Sequence, residues 1–486
     1  MALGSVTFGG LASGLPSDIV DQLMKAEQTR MTALQKREAL YTSQRSAISD
    51  LKTKLLALNT KAVELKDPSF FRPHTVTSSD TTVFTATASS DAQSATHSVT
   101  VTTLAANQSI SSNAGTGPTT STDTLTAGAT IRINYNGTNY DTAVSASSTL
   151  ADVAAAINNN TTLNPSSTTG VDASVLYDGT NYRLVLRARE GGLNGAAQRI
   201  DLTAGSGTLT FAGGSSIDFT GGAPTLTQNV AGVNASVTID GVAVSSTSNT
   251  VSTALTGVTL NLLATGANKT LAVANDTDKL KESLNDFISS FNDIVDFVNK
   301  EGTKGGRLQK DASLARTVLS QVRQELQYST YNTSPTGGPY TVLSPYSMLA
   351  EIGIRSSTSD GKLSLDSTAF ATAVAQGYDV ISSIFTINPT ATDKANFDAA
   401  GAKRGLSYRL NDLLTDLTAS TGSPVSSKIE GISYRITSLG SQMDREQARL
   451  DKVRERLTLK FANLEKLTNS MQGQGTALQQ ALSGLK

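Results

Sequence analysis

Few residues in this chain are equipped for chemistry. It has no cysteine and no tryptophan, and its two histidines are His74 and His97. Without Cys there is no disulfide, zinc finger or thiol nucleophile. Each histidine stands alone beside a predicted strand, which suits a structural role. The run Asp360-Gly-Lys-Leu-Ser-Leu-Asp366 superficially suggests a calcium loop. It lacks the alternating Asp/Asn ligands and the closing Glu, so it reads as a hairpin turn. Gly302-Thr-Lys-Gly-Gly306 and Gly191-Gly-Leu-Asn-Gly195 do not match a phosphate-loop spacing and read as loops. No acid/base constellation supports a hydrolase. The sequence therefore predicts no enzyme, no cofactor and no metal. Arg183, Arg187 and Arg189 share one face of an alternating strand. They offer an acidic partner a surface, or they are the charges a solvated edge strand carries against unwanted pairing.

What the residues do spell out is helix pairing. Ile429, Ile432, Ile436, Leu439, Met443, Leu450, Val453, Leu457, Leu464, Leu467 and Met471 fall at steps of three and four, with charged Glu446 and Lys460 in the same register. A seam this long faces one direction only if a partner winds along it. At the other end, Ile48, Leu51, Leu55, Leu58, Ala62 and Leu65 repeat the spacing, so the two ends are predicted to pair. Before Ile48 the seam is poor: Glu27, Arg30, Arg37 and Gln44 occupy its core positions. That stretch, with the apolar run Met1 to Leu15, is predicted to order only on an external partner.

Between the helical ends the composition changes. No lysine occurs between Lys66 and Lys269, where six Arg face eleven Asp and one Glu. The overall net charge of −1 gives no pull toward nucleic acid. No stretch is apolar enough to span a membrane, and the first residues lack the pattern of a cleaved secretory signal.

From His74 the hydrophobic period becomes two, with strands at Val83–Thr87 and His97–Thr102. The hexad Tyr135-Asn-Gly-Thr-Asn-Tyr140 recurs as Tyr177-Asp-Gly-Thr-Asn-Tyr182, each read as a hairpin turn. Strand character like that of residues 75–105 returns near Gln228, and helix returns at Thr277. Asp311 and Asp366 are read as helix caps, and Leu406, Leu410, Leu413 and Leu417 as a helix ending before Pro424.

The predicted fold is α+β and multidomain: a helical coiled-coil leg from both termini with a two-domain, β-rich head inserted. The segments are 1–42, a flexible or coiled-coil start; 43–74 with 276–425, a helical leg bearing a β-hairpin; 75–107 with 229–275, a first β domain; 108–228, a second inserted β domain; and 426–486, a terminal coiled coil. The predicted assembly residues are Ile48, Leu51, Leu55, Leu58, Leu65, Ile432, Ile436, Leu439, Leu450, Leu457 and Leu464, and the possible head surface is Arg183, Arg187 and Arg189.

Several motifs carry a family resemblance. Gly10-Leu-Ala-Ser-Gly-Leu15 followed by Ile19-Val-Asp-Gln-Leu-Met-Lys-Ala-Glu27 is similar to the opening of flagellar hook-associated protein 2, the filament-capping family. Thr77-Ser-Ser-Asp80 with Ser98-Val-Thr-Val-Thr-Thr-Leu-Ala105, Asp240-Gly241, Gly257-Val-Thr-Leu260 and Ile352-Gly-Ile354 with Asp360 to Asp366 resemble its later segments, in the same order. Residues 108–228 match no named pattern. The resemblance implies a ring of five or six copies at the flagellar tip, which folds and inserts exported flagellin. It implies as partners the hook–filament junction protein and an export chaperone at the C-terminal helix, and secretion through the flagellar export apparatus. It implies neither nucleic-acid binding nor membrane insertion. An alternative of another class is a surface adhesin whose β-rich head binds host mucin or glycans.

Overall fold

The computed structural model describes residues 19–221, 224–328, 346–388 and 404–483. The chain divides into two compact units, Met1–Phe71 with Lys281–Lys486, and Arg72–Leu280. The first is helical and the second β-rich, so helices from both ends of the chain flank a β-rich middle.

In the helical unit, α1 (Ile19–Glu27) and α2 (Thr29–Glu64) meet at Gln28. Helical hydrogen bonding runs through the junction: the Gln28 N–H reaches the Met24 carbonyl at 3.0 Å and the Thr32 N–H the Gln28 carbonyl at 2.9 Å. No Gly or Pro interrupts α2, and Ala, Leu, Lys, Gln and Arg dominate it, all strong helix formers. α4 (Thr277–Glu301) ends at Gly302, and α5 (Ser313–Gln327) follows. Ala312, not Asp311, precedes α5 and no side chain caps it; the Asp311 carboxylate pairs with Lys428 instead. Strands β18 (Ile354–Ser356) and β19 (Leu363–Leu365) form the predicted hairpin. Asp366 Oδ1 then accepts the N–H groups of Thr368 and Ala369 as the cap of α6 (Ser367–Gln376). α7 (Tyr378–Thr386) and α8 (Leu406–Thr418) lead to α9 (Pro424–Ser483). Pro424 opens this last helix rather than preceding it. In the first turn its missing N–H costs no hydrogen bond and its φ is already helical.

The β-rich unit has two cores. In the first, β1 (His74–Ser78), β17 (Gly266–Asn275), β3 (Ala95–Thr103), β13 (Ala235–Ile239) and β14 (Val242–Ser246) form an antiparallel sheet in that order. It shares a core with a three-stranded sheet of β15 (Thr250–Leu255), β16 (Val258–Leu262) and β2 (Phe84–Ala88). Inward Val99, Val101, Val237, Leu271 and Val273 alternate with Thr, Ser and Ala on the other face, the period-two pattern of a half-buried sheet.

The second core lies between sheets β12-β4-β8-β7 and β6-β5-β9, with β10 and β11 paired beside them. The ranges are β4 Asn107–Ser112, β5 Ala129–Tyr135, β6 Thr138–Val144, β7 Val171–Tyr177, β8 Tyr182–Gly191, β9 Ile200–Ser206, β10 Thr208–Thr210, β11 Ser216–Asp218 and β12 Leu226–Val230. Helix α3 (Leu150–Asn158) packs into it, started by a reciprocal cap between Thr149 and Asp152.

The two hexads turn differently. Tyr135 pairs with Thr138 across a two-residue turn in which Asn136 and Gly137 both have positive φ, 52° and 81°. Tyr177 pairs directly with Tyr182, leaving a four-residue loop whose Asp178 Oδ1 accepts the N–H groups of Thr180 and Asn181. Both hexads are hairpin turns, as the Asn-Gly and Asp-Gly pairs suggest, but only the first is a two-residue turn.

Candidate assembly interface

The predicted assembly residues do not form one seam. α1 and α2 run antiparallel to α9 in a single register. Lys52 Nζ donates to Ser426 Oγ at 3.0 Å, and the Arg435 guanidinium lies 5.7 Å from the Tyr41 ring centroid. Arg30 pairs with Glu446 at 3.7 Å, Arg449 with Glu27 at 2.9 Å, and Arg454 with Asp21. α9 begins at Pro424, opposite the last third of α2. Beyond that point α2 continues against α8: Ser407 Oγ donates to the Leu65 carbonyl at 3.0 Å, and Asn411 Nδ2 to Asn59 Oδ1 at 2.8 Å.

The two ends pair as the sequence suggests, but in another register. Ile48, Leu51, Leu55, Leu58 and Leu65 are buried, but hydrogen bonds join the Asn59–Leu65 end of that run to α8. Ile432, Leu439 and Leu450 are buried too, and the ion pairs align their helix with residues 21–41. α8 carries the same apolar spacing (Leu406, Leu410, Leu414 and Leu417 are buried), and spacing alone cannot choose between two such partners. Ile436 and Leu457 are half-buried. Leu464 is 43% exposed and Met471 64%, with Leu459, Leu467 and Leu478 also open. The apolar stripe of α9 thus outruns the part of α1 that is described. Residues 19–46, expected to await an external partner, lie along α9 of their own chain. The run Met1 to Leu15 falls outside the described residues.

Three of the polar intrusions, Glu27, Arg30 and Glu446, are linked in one cluster with Arg449. Glu446 occupies a core position between Leu439 and Leu450, and its side chain is only 5% exposed. Arg449, one turn on, donates to it from Nε at 3.0 Å and Nη2 at 2.9 Å. That contact holds the Glu446 carboxyl below its usual range despite burial, with the Arg30 charge adding to the effect. Arg449 also donates to Glu27, and both carboxylates raise its own pKa. Gln44, another intrusion noted in the sequence, is buried as well.

The head surface proposed from three arginines is mostly spent internally. Arg183 donates to the Ser112 carbonyl at 2.6 Å and Ser111 Oγ at 2.7 Å. Arg189 donates to Asp172 at 2.7 Å and to the Ser166 carbonyl at 2.6 Å. Arg187 is exposed and makes no ion pair among the described residues. Sequence reasoning saw a shared face; it had no means of seeing that β4 and β7 flank it with acceptors.

His97 Nδ1 donates to Asp240 Oδ2 at 2.7 Å, a pairing across the sheet end. Among the described residues no group of three acidic, His or Cys side chains could hold a metal, and no helix is long and apolar enough to cross a membrane.

Three family models match. The model for the C-terminus of flagellar hook-associated protein 2 matches residues 232–473, and that for its N-terminus residues 13–108. A flagellin hook IN motif matches residues 130–190, inside the segment that the sequence reading left unnamed. Flagellar hook-associated protein 2 of Escherichia coli K12 is 27% identical over 98% of both chains. The A-type protein of Pseudomonas aeruginosa is 28% identical over 99% of this chain and 98% of its own. The crystal structure of the D1-D2-D3 domains of the E. coli flagellar cap protein FliD superposes with a TM-score of 0.60 at 26% identity, covering 80% of this chain and 99% of that one. With its N- and C-terminal parts matched in order and its relatives aligned over nearly their whole length, the chain belongs to the flagellar hook-associated protein 2 family.

Proposed function

We propose that this protein is the structural cap at the distal end of the bacterial flagellar filament. Copies of the chain form a ring of five or six, and exported flagellin folds and is inserted beneath it rather than being lost. The observation that carries the reading is the family match at both ends of the chain, 13–108 and 232–473. The architecture agrees with a non-enzymatic role: long helices from both ends, with a β-rich unit between them. The exposed stripe Leu464, Leu467, Met471 and Leu478 gives the far end of α9 a surface for partners. Those partners are the hook–filament junction protein and, before export, a chaperone. The protein leaves the cell through the flagellar export apparatus and works at the flagellum tip.

Deleting the gene tests this. Hooks without filaments and monomeric flagellin in the medium, both reversed by adding the purified protein, are the expected outcome. Filaments of normal length on the deletion strain, with no second capping gene present, would sink the reading.

A further inference from the structure

The ionic cluster in the α1–α2/α9 pairing has no part in the capping argument, and the pairing changes character where it begins. From Ala47 onward α2 buries an unbroken apolar face: Ala47, Ile48, Leu51, Leu55, Leu58 and Ala62. Over residues 20–43 only Met24 and Leu34 are buried. Links that cross from this stretch to α9 include Asp21–Arg454, Glu27–Arg449 and Arg30–Glu446, with Tyr41–Arg435 at the boundary.

These crossing links are poorly shielded from solvent. Both partners of the first two pairs are at least two-fifths exposed, and Arg30 is largely open. Exposed pairs of this kind weaken as added salt shortens the screening length. Glu446 works in the same direction. It keeps Arg449 on its own helix, but it interrupts the apolar line between Leu439 and Leu450 and gives up hydration to do so. When the facing helix leaves, Glu446 recovers that hydration. An apolar residue there would have no such return.

We propose that Glu27, Arg30, Glu446 and Arg449, with Asp21 and Arg454, form a salt-sensitive latch. Residues 19–40 are a strap that leaves α9 as ionic strength rises, while residues 47–65 stay packed. The strap opens by itself because its hold is ionic and theirs is apolar. The proposal concerns the chain's own helices and stands whether or not the protein caps a filament.

The chain has no native cysteine, so label pairs can be placed freely in the full-length protein. One pair, Lys25→Cys with Lys452→Cys, spans the latch; a second, Thr53→Cys with Ser427→Cys, spans the apolar stretch, and all four positions are exposed. Distances between nitroxide labels are measured by pulsed electron spin resonance from about 50 mM to about 1 M NaCl. The 25/452 distance should lengthen and broaden, with the closed-to-open ratio falling about tenfold. The 53/427 distance should not change. Glu446→Leu, in the same labelled backgrounds, should keep 25/452 closed at the highest salt. A salt-independent 25/452 distance overturns the latch, as does loss of both distances together. A Glu446→Leu protein that opens as readily as its parent overturns the role given to Glu446.

Discussion

Residues 47–65 and residues 19–46 belong to one nearly continuous helical run, yet they are held by different physics. The later half shows Ala47, Ile48, Leu51, Leu55, Leu58 and Ala62 to the interior without a break. The earlier half offers Met24 and Leu34, then relies on arginine–carboxylate pairs with α9. Apolar burial is nearly indifferent to salt and fails only with the whole unit, whereas exposed ion pairs can be lost locally. A single helix can therefore anchor a unit at one end and stay exchangeable at the other.

The largest test of this contrast is a pair of truncations. Leu55→Ala empties a fully buried site and should cost about 2–5 kcal/mol, lowering the urea midpoint of the helical unit. Leu34→Ala, at a site 9% exposed within the strap, should cost less than about 1 kcal/mol in the same titration. It should act instead on local hydrogen exchange of residues 19–40. Equal costs at the two sites would mean that the helix unfolds as one body and the contrast is false.

The β-rich unit repeats the contrast on a small scale in its two hexads. Tyr135 is 2% exposed and its hydroxyl donates to Glu190 Oε2 at 2.6 Å. Burial first, and Glu190 second, push its phenol up to about 12. Tyr177, the first residue of the other copy, is 51% exposed and donates only to the nearby Gly179 carbonyl. Tyr135→Phe should cost about 1–3 kcal/mol, because it strips a donor from a half-buried carboxylate. Tyr177→Phe should stay within about 0.5 kcal/mol. Equilibrium unfolding followed by tyrosine fluorescence distinguishes them, and a Tyr177 effect as large as that of Tyr135 would mean the two turns are equivalent after all.

The same cases show how far the sequence could be read. Three-four spacing marked which face of each helix is buried, and the buried sets at 48–65 and 432–450 lie on those faces. It did not say what covers them, because α8 and α9 offer α2 the same pattern. Glu27, Arg30, Arg37, Gln44, Glu446 and Lys460 stand out as faults in the two seams. Only the antiparallel register reveals that three of them meet. The hexads were visible as a repeat, but hairpin loop length depends on pairing across the strands, not on the turn residues alone. Strands β9 to β11 left no legible trace. Three to seven residues long and interrupted by Gly205, Gly207, Gly213 and Gly214, they are too short and too glycine-rich for a period to register.

The smallest expected effect sharpens the comparison from the side of the first β core. Asp80 pairs with Lys269 of β17 at 2.8 Å, and accepts the Thr82 N–H at 3.1 Å and its hydroxyl at 2.5 Å. Lys269 first and Thr82 next lower the Asp80 carboxyl to about 2. An unfolded Asp titrates near about 3.9, so the folded state favours the carboxylate. The resulting stability is fully present above pH about 4 and is lost as pH falls through about 2. Asp80→Asn removes that carboxylate at every pH. The parent should therefore be the more stable protein near neutrality, and the gap between the two urea midpoints should close between pH about 4 and about 2. Hydrogen exchange in β17 reports where the gap arises. Unlike the strap, this pair ties the turn after β1 to β17, a strand flanked on both sides in its sheet, so its loss should loosen β17 without freeing a segment. A gap that persists at pH about 2 would place the contribution of Asp80 in its shape rather than its charge, and would remove the ion pair from the forces that distinguish the two regions.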